Sequence, residues 1–227
     1  MLTRPGRSTG MSVWTRLSPV LISTRRTRPA LSRTQGARSN YTNSPAGFVP
    51  SLLGGDLEPA GHGIGRSRGG LTTKIHAAVD GRGRPLAMVI TGGQRNDGAM
   101  LGEVLDDIRV PCTGPGRPRT RPDAVIADRA YTNGVNRRML AGRGIKTVIP
   151  QKSTETDARK RKGSTGGRPP AFDAVLYKGR NVIERSFNDT KQWRALATRY
   201  DKLAITYRAA VVLQACLRWT RLLGDTP

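Results

Sequence analysis

The sequence has few cysteines, few histidines and no long hydrophobic run. Its two cysteines, Cys112 and Cys216, lie in unrelated contexts, which indicates neither a disulfide framework nor a thiolate metal site. His62 and His76 lack neighbours at metal-ligand spacing, and a lone histidine on a strand is more often structural than catalytic. The longest apolar run, near residues 211–217, is too short and too interrupted by polar residues to cross a bilayer. These absences predict a protein of the reducing cytoplasm with no membrane role.

Acidic residues are also scarce. The chain carries 39 Lys and Arg against 16 Asp and Glu, a formal net charge of +23 with a sequence pI near 11.5. Charge of this sign attracts the phosphate backbone of nucleic acids, whatever the protein does next. The charge therefore predicts a polyanionic partner and leaves open a ribosomal-type protein, a histone-like binder or a nuclease. No G-x4-G-K-[ST] loop is present, so no nucleotide is implied.

The first 50 residues contain eight Arg but no Lys, Asp or Glu, and they show neither helical nor strand periodicity. With its frequent Ser, Thr and Pro, this composition predicts that residues 1–57 are disordered or non-native. An Arg-rich, acid-poor composition is also typical of an organellar transit peptide. High-GC DNA translated in a non-native frame gives the same composition. The sequence alone leaves these alternatives open.

Residues 58–223 have the pattern of a folded domain. LTTKIHAAVD and PLAMVITGG predict two strands joined by a turn that begins at Asp80-Gly81. A helix is predicted over residues 98–108, and residues 123–150 predict a strand-helix-strand unit with parallel strands. This order of elements indicates an α/β fold with an antiparallel hairpin at one side of the sheet.

Two further segments follow the strand-helix-strand unit. Residues 151–170 are polar, basic and rich in Gly and Pro, so they are predicted to form a flexible basic loop that follows a nucleic-acid backbone. A long helical region is predicted from Tyr177 to Leu223, with breaks near residues 200–202.

Asp128 is the first candidate for chemistry. It ends the apolar run AVIAD, a predicted buried strand, at the carboxyl edge of the sheet where α/β active sites usually lie. Cleavage of a phosphodiester without a covalent protein intermediate usually relies on carboxylates that hold two divalent cations. On position alone, an N-cap of the next helix explains Asp128 as well.

A second candidate is a stripe of four side chains in YKGRNVIERSFNDTKQWR. At about 100° per residue these side chains fall within about 60° of one another on a helix. They are Tyr177, Arg180, Glu184 and Lys191. In this stripe the carboxylate could bind a metal ion, while the two cations and the phenol could contact phosphate. A solvated face with ion pairs at helical spacing explains the stripe equally well.

Together and in this order, the two motifs resemble the signatures of the DDE transposases of bacterial insertion sequences. The family places its second Asp in a D-x-[GA]-[YF] context, and DRAY at residues 128–131 matches it. It places its Glu in a Y-x2-R-x3-E-x6-K signature, and the four-residue stripe matches that. With GRSRGGLTTKIH ahead of both motifs, the resemblance covers about residues 58–223.

The resemblance implies a ribonuclease-H-like mixed sheet with flanking helices and a catalytic site that holds two Mg²⁺ ions. Asp128 and Glu184 would be the catalytic metal ligands, while Tyr177, Arg180 and Lys191 would contact DNA near the scissile phosphate. The implied partners are double-stranded DNA at the terminal inverted repeats and target DNA, with room for a homodimer on DNA. The implied location is the bacterial cytoplasm, in association with the nucleoid.

One family feature is not found in the sequence. The family's first Asp lies on the first strand, usually as D-[ST], upstream of the Gly-Arg run. The acidic residues before Gly65 are Asp56 and Glu58, both in a loop context. Asp80 and Asp97 are better explained as turn or cap residues. We therefore expect the first strand to be missing, as in a truncated or frameshifted copy.

Two functions follow from these patterns. The first is an insertion-sequence transposase that cleaves DNA and transfers strands at transposon ends. The alternative is a catalytically inactive, basic DNA-binding remnant of such an enzyme, because two-metal binding is badly weakened when one of three carboxylates is absent.

Overall fold

The computed structural model describes residues 20–29, 61–112 and 114–224. The strands in these ranges form a seven-stranded mixed sheet. The strands are β1 Val20–Pro29, β2 Gly65–Ser67, β3 Gly70–Val79, β4 Pro85–Gly92, β5 Ala124–Ala127, β6 Lys146–Val148 and β7 Thr198–Arg199. The helices are α1 Leu101–Asp106, α2 Gly134–Gly142, α3 Ser153–Arg161, α4 Ala174–Lys178, α5 Asn181–Gln192, α6 Arg194–Ala197 and α7 Ala204–Gly224. No helix in these ranges is long and apolar enough to cross a membrane.

Strand β1 lies in the middle of the sheet. It pairs antiparallel with β3 and parallel with β5, and β5 pairs parallel with β6. Strand β4 pairs antiparallel with β3 on the other side. The predicted α/β fold, with a mixed sheet, an antiparallel hairpin and a parallel strand-helix-strand unit, is therefore confirmed.

The prediction that the first strand is missing was wrong. Strand β1 lies inside the segment 1–57, and its residues Val20, Leu21 and Ile22 are all buried. β-branched and leucine side chains form this strand because both faces of the sheet are covered, so it needs no alternation of apolar and polar residues. The remaining positions of that segment, to which the prediction of disorder also applied, lie outside the described residues.

The two faces of the sheet carry separate cores. On one face, which we call the α1 face, α1 and α2 pack over Val20 and Ile22 of β1. On the other, the α5 face, α5, α6 and α7 pack over Leu21 of β1 and Ile126 of β5. Successive residues of each strand therefore point to opposite helical layers.

Asp80 forms the turn of the β3–β4 hairpin, as predicted. Its Oδ1 accepts the backbone N–H groups of Arg82 and Arg84 at 3.0 and 2.9 Å. Its Oδ2 accepts the Arg84 Nε–H at 2.7 Å, and both side chains are almost fully buried. This carboxylate is fully used by the turn, so it is a structural residue.

Residues 151–170, predicted to form a flexible loop, contain helix α3 and a short 3-10 turn, Gly163–Gly166, so they are not a loop throughout. None of the residues in α3 is buried, so no hydrophobic period reveals this helix in the sequence. Polar contacts hold it instead: Glu155 Oε2 accepts the Thr132 hydroxyl at 2.9 Å, and Arg159 donates to Gln151 at 2.6 Å.

The predicted long helical region is broken into separate elements. Trp193 has an extended conformation that ends α5, and Arg199 lies on the short strand β7 beside β1. The buried Arg199 guanidinium donates to Thr73 Oγ1 at 2.6 Å and to the Asp201 carbonyl at 2.9 Å. Burial lowers the pKa of this guanidinium. Because a buried cation needs such acceptors, this residue fixes the break between α6 and α7.

Candidate active site at the ends of the central strands

Asp128 lies directly after β5, at the carboxyl end of the parallel strands. Its backbone remains extended, and its Oδ1 accepts the Ala130 N–H at 2.8 Å, which caps the short 3-10 helix Arg129–Tyr131. The side chain is half-buried. Asp128 is thus the N-cap that position alone suggested, and the cap uses one of its two carboxylate oxygens.

The pleat of the strands places Asp128 on the α5 face. Within β5, Ile126 packs in the core of that face, whereas Val125 and Ala127 pack in the opposite core. Because Asp128 continues the strand with an extended backbone, its side chain alternates back to the side of Ile126. Its carboxylate therefore faces the layer formed by α5.

Glu184 lies on α5, next to the residue that anchors this helix to the sheet. Ile183 is fully buried in the α5-face core, whereas the Glu184 side chain is 51% exposed. Glu184 Oε1 accepts a hydrogen bond from Arg180, which lies one turn earlier. The Arg180 guanidinium lies 5.9 Å from the centre of the Tyr177 ring. Tyr177, Arg180 and Glu184 therefore form one connected group.

The single helical face predicted for the four signature residues is only partly found. Tyr177 belongs to α4, and the chain turns at Gly179 before α5 begins, so the four do not share one continuous helix. Glu184 and Lys191 do share α5, two turns apart and on the same side. The Lys191 ammonium donates to Asn188 at 3.0 Å rather than to Glu184.

Ser23 is a third side chain at this end of the sheet, and the sequence analysis missed it. It pairs with Ala77 of β3, whose side chain packs in the α5-face core. The parallel pairing of β1 with β5 ends at Ile22 and Ala127, so the next positions along the two strands are Ser23 and Asp128. The signal for this strand in the sequence is the apolar run Val20-Leu21-Ile22 before Ser23.

The neighbouring residue of β1 belongs to a buried polar network on the α1 face. The Thr24 hydroxyl lies 2.8 Å from His76 Nδ1 and 2.7 Å from the Tyr131 hydroxyl, and His76 Nε2 lies 2.7 Å from the Thr91 hydroxyl. Burial lowers the pKa of His76 to about 4 and raises the pKa of Tyr131. Both side chains are therefore neutral at physiological pH, and His76 has the structural role expected of a lone histidine.

Asp97 also lies on the α1 face. It precedes the 3-10 turn Gly98–Met100, but its side chain does not cap that turn. Its Oδ1 instead accepts the nearly buried Lys74 ammonium at 2.6 Å. Lys74 precedes Ile75 of the α5-face core and alternates with it, so this ion pair lies on the sheet face opposite to Asp128. The predicted cap or turn role of Asp97 is replaced by an ion pair with β3.

Within the described part of the chain, no group of three or more His, Cys, Asp or Glu side chains has the spacing of a metal site. The two signature carboxylates are Asp128, on the face that α5 covers, and Glu184, on α5 itself. Each uses one oxygen in a contact with the protein, to Ala130 and to Arg180 respectively. The remaining oxygens are the ones available to a ligand.

The chain is similar to known transposases. The family described as "Transposase DDE domain" matches residues 33–219. A transposase for insertion sequence element IS402 of Burkholderia cepacia is 35% identical over 146 residues, which cover 64% of this chain and 61% of that protein. A transposase for insertion sequence element IS6501 of Brucella ovis is 30% identical over 151 residues, which cover 66% of this chain and 100% of that protein.

The chain thus spans about three fifths of the length of the Burkholderia relative. No solved structure matches it. The family match includes both Asp128 and Glu184 but begins after β1.

Proposed function

The chain belongs to the transposase DDE-domain family, and on that premise we propose that it cleaves DNA at the ends of an insertion sequence and joins those ends to target DNA. The observation that carries the proposal is the arrangement of Asp128 and Glu184. Two elements far apart in sequence, β5 and α5, bring these carboxylates to one side of the sheet. Nothing in the comparisons favours the alternative, a basic DNA-binding remnant that does not cut.

The proposed reaction is an in-line displacement at phosphorus. Water attacks the phosphodiester at the transposon end and releases a 3′-hydroxyl, which then attacks a phosphodiester of the target DNA. The Arg180 guanidinium, held between Glu184 and the Tyr177 ring, would bind a non-bridging phosphate oxygen. Lys191, on the same side of α5 as Glu184, would bind the adjacent phosphate. These contacts would orient the scissile bond.

The family generally uses a divalent metal, and we propose that Asp128 and Glu184 together hold one Mg²⁺ ion. Proteins commonly hold Mg²⁺ with one or two carboxylates, waters and the phosphates of the substrate. The second oxygens of Asp128 and Glu184 would supply those ligands. A bound ion would lower the pKa of its water and neutralise charge on the phosphate. The two ions predicted from the sequence would need a further acidic side chain at this site.

The proposed partners are the terminal inverted repeats of the element and the target DNA, with a homodimer on DNA as the assembly and the nucleoid as the location. Helix α3 would follow the DNA backbone, because its last turn carries Arg159, Lys160 and Arg161 and none of its residues is buried. Its contact with Thr132 places it close to the turn that Asp128 caps.

The test is cleavage of double-stranded DNA that carries the element's terminal repeats, with the full chain in Mg²⁺ or Mn²⁺. We expect Asp128→Asn and Glu184→Gln to lower the cleavage rate by at least about 100-fold, because each removes an anionic ligand of the metal ion that neutralises the reacting phosphate. Asp123→Asn and Asp189→Asn are the matched controls: Asp123 precedes the same strand, and Asp189 lies on the same helix and pairs with Arg218.

Both controls should cleave at the parent rate. The proposal is contradicted if the parent chain cuts no DNA in either metal, or if the Asp128 and Glu184 variants cut as fast as the controls.

A further inference from the structure

We propose that Ser23 occupies the third ligand position of the site formed by Asp128 and Glu184, and that its hydroxyl limits this site to one divalent ion. The inference rests on the function proposed above. It concerns the one place beside Asp128 where β1 presents a side chain to α5.

The register of the sheet gives the direction of the Ser23 side chain. Leu21 and Ser23 are paired with Val79 and Ala77 of β3, and Leu21, Val79 and Ala77 all pack in the α5-face core. Residues that face each other across a strand pair have side chains on the same side of the sheet. The Ser23 side chain therefore points toward the layer of α5, as does that of Asp128.

The parallel pairing of β1 with β5 places Ser23 next to Asp128. The paired positions run from Val20 with Val125 to Ile22 with Ala127. One residue further along both strands come Ser23 and Asp128, which places their Cα atoms at neighbouring positions. Glu184 belongs to α5, which packs on this face through its buried neighbour Ile183. Ser23 and Asp128 are thus neighbours on the face that α5 covers, and Glu184 is the proposed third member of the site.

The negative charge at the site limits the number of Mg²⁺ ions that it can bind. Two Mg²⁺ ions bring four positive charges, and the carboxylates of Asp128 and Glu184 supply two negative ones. Arg180 already adds a further positive charge to the site through its ion pair with Glu184. Mg²⁺ is a hard cation that prefers anionic oxygen ligands, and a neutral serine hydroxyl supplies none. A carboxylate at position 23 would supply the missing charge.

The other acidic side chains near β3 cannot replace it. Asp80 is bound on both oxygens by Arg84 and the turn, at the end of β3 that pairs with the start of β1. Asp97 is paired with Lys74 on the opposite face. Strand β1 also precedes residues 33–219, the part of the chain that matches the family.

The experiment is calorimetric titration of the full chain with Mn²⁺, comparing the parent with Ser23→Asp. We expect Ser23→Asp to bind Mn²⁺ roughly tenfold or more tightly than the parent, with a second ion per chain. Asp128→Asn added to Ser23→Asp should abolish the gain, because the new carboxylate would act with Asp128. Ser164→Asp, on the exposed 3-10 turn after α3, controls for an added negative charge elsewhere.

A second variant keeps the inference testable if an aspartate at this position disturbs folding. Ser23→Cys is nearly isosteric, and in a Cys112→Ser, Cys216→Ser background its thiolate would be the one soft ligand at the site. We expect this variant to bind Cd²⁺ and to show a thiolate-to-cadmium absorption band. Adding Asp128→Asn should lower the affinity for Cd²⁺ roughly tenfold or more.

The outcomes separate the two proposals. If neither Ser23 variant binds metal more tightly than its control while Asp128→Asn still blocks DNA cleavage, the Ser23 inference is overturned and the proposed function stands. If the Ser23 variants gain metal binding but Asp128→Asn has no effect on cleavage, the metal site is supported and the proposed function is overturned.

Discussion

Ser23 and Thr24 are neighbours on the central strand, but they point to opposite faces of the sheet. The Thr24 hydroxyl lies within hydrogen-bond distance of both His76 and Tyr131, and these two side chains are buried. Ser23 lies on the face covered by α5, next to the position of Asp128, and the carboxylates of Asp128 and Glu184 have one oxygen each bound within the described chain. The satisfied network stabilises the strand, whereas the incompletely satisfied group can bind a ligand.

The largest expected effect is the loss of folding stability when His76, in the buried network with Thr24 and Tyr131, becomes protonated at low pH. Burial, helped by Lys74 and Arg95 and opposed by Asp97, lowers the pKa of His76 from 6.5 to about 4. The folded state therefore holds this histidine neutral, and its contribution is fully present above pH 6.5. As the pH falls from 6.5 to 4 the unfolded chain binds the proton first, and we expect stability to fall by about 3 kcal/mol.

The measurement is urea unfolding at pH 7, 5.5 and 4.5 for the parent chain and for His76→Gln. The acid loss of the parent should be largely absent in His76→Gln and retained in His62→Gln, the control for removing a histidine. Equal pH dependence in all three proteins would contradict the buried neutral network.

The next largest effect separates the two neighbours directly. Thr24→Val keeps the shape of the side chain but leaves His76 Nδ1 and the Tyr131 hydroxyl without this partner, so we expect it to lower stability by about 2 kcal/mol. Ser23→Ala should change stability by no more than about 0.5 kcal/mol, because the side chain faces the partly open site. Urea midpoints at pH 7 measure both. A reversed order would show that the strand faces have been assigned the wrong way round.

The smallest effect concerns the basic helix α3. Lys160→Gln and Arg161→Gln should each lower affinity for double-stranded DNA at every sequence and reduce the slope of log K against log salt by about 1. Arg208→Gln is the control, because Asp107 already pairs with Arg208 at 3.0 Å. Fluorescence anisotropy over a range of salt concentrations gives both quantities. Effects confined to one DNA sequence would indicate base recognition instead of backbone contact.

Much of the fold could be predicted from the sequence because its signals are local. The β3–β4 hairpin follows from two apolar runs and an Asp-Gly turn, and the parallel unit of β5, α2 and β6 follows from the spacing of its apolar residues. Asp128 and Glu184 could be singled out because motif and position agree. The sequence pattern that identifies each of these features lies within a few positions of it.

The rest depends on distant contacts. Strand β1 has only three consecutive apolar residues, and it is a strand because β3 and β5 flank it. Helix α3 has no apolar face, so no periodicity could reveal it. The helical wheel drawn from Tyr177 holds only in part, because a turn at Gly179 and Arg180 separates α4 from α5. Ser23 is not acidic, so a carboxylate signature could not single it out.

Anomalous diffraction from crystals of the full chain soaked in Mn²⁺ would test the central claim, that Asp128 and Glu184 form one metal-binding carboxylate site, most directly. The account predicts a single strong anomalous peak with carboxylate oxygens of both residues within about 2.5 Å and the Ser23 side chain facing it. A peak at other residues, or no peak between these two carboxylates, would contradict it.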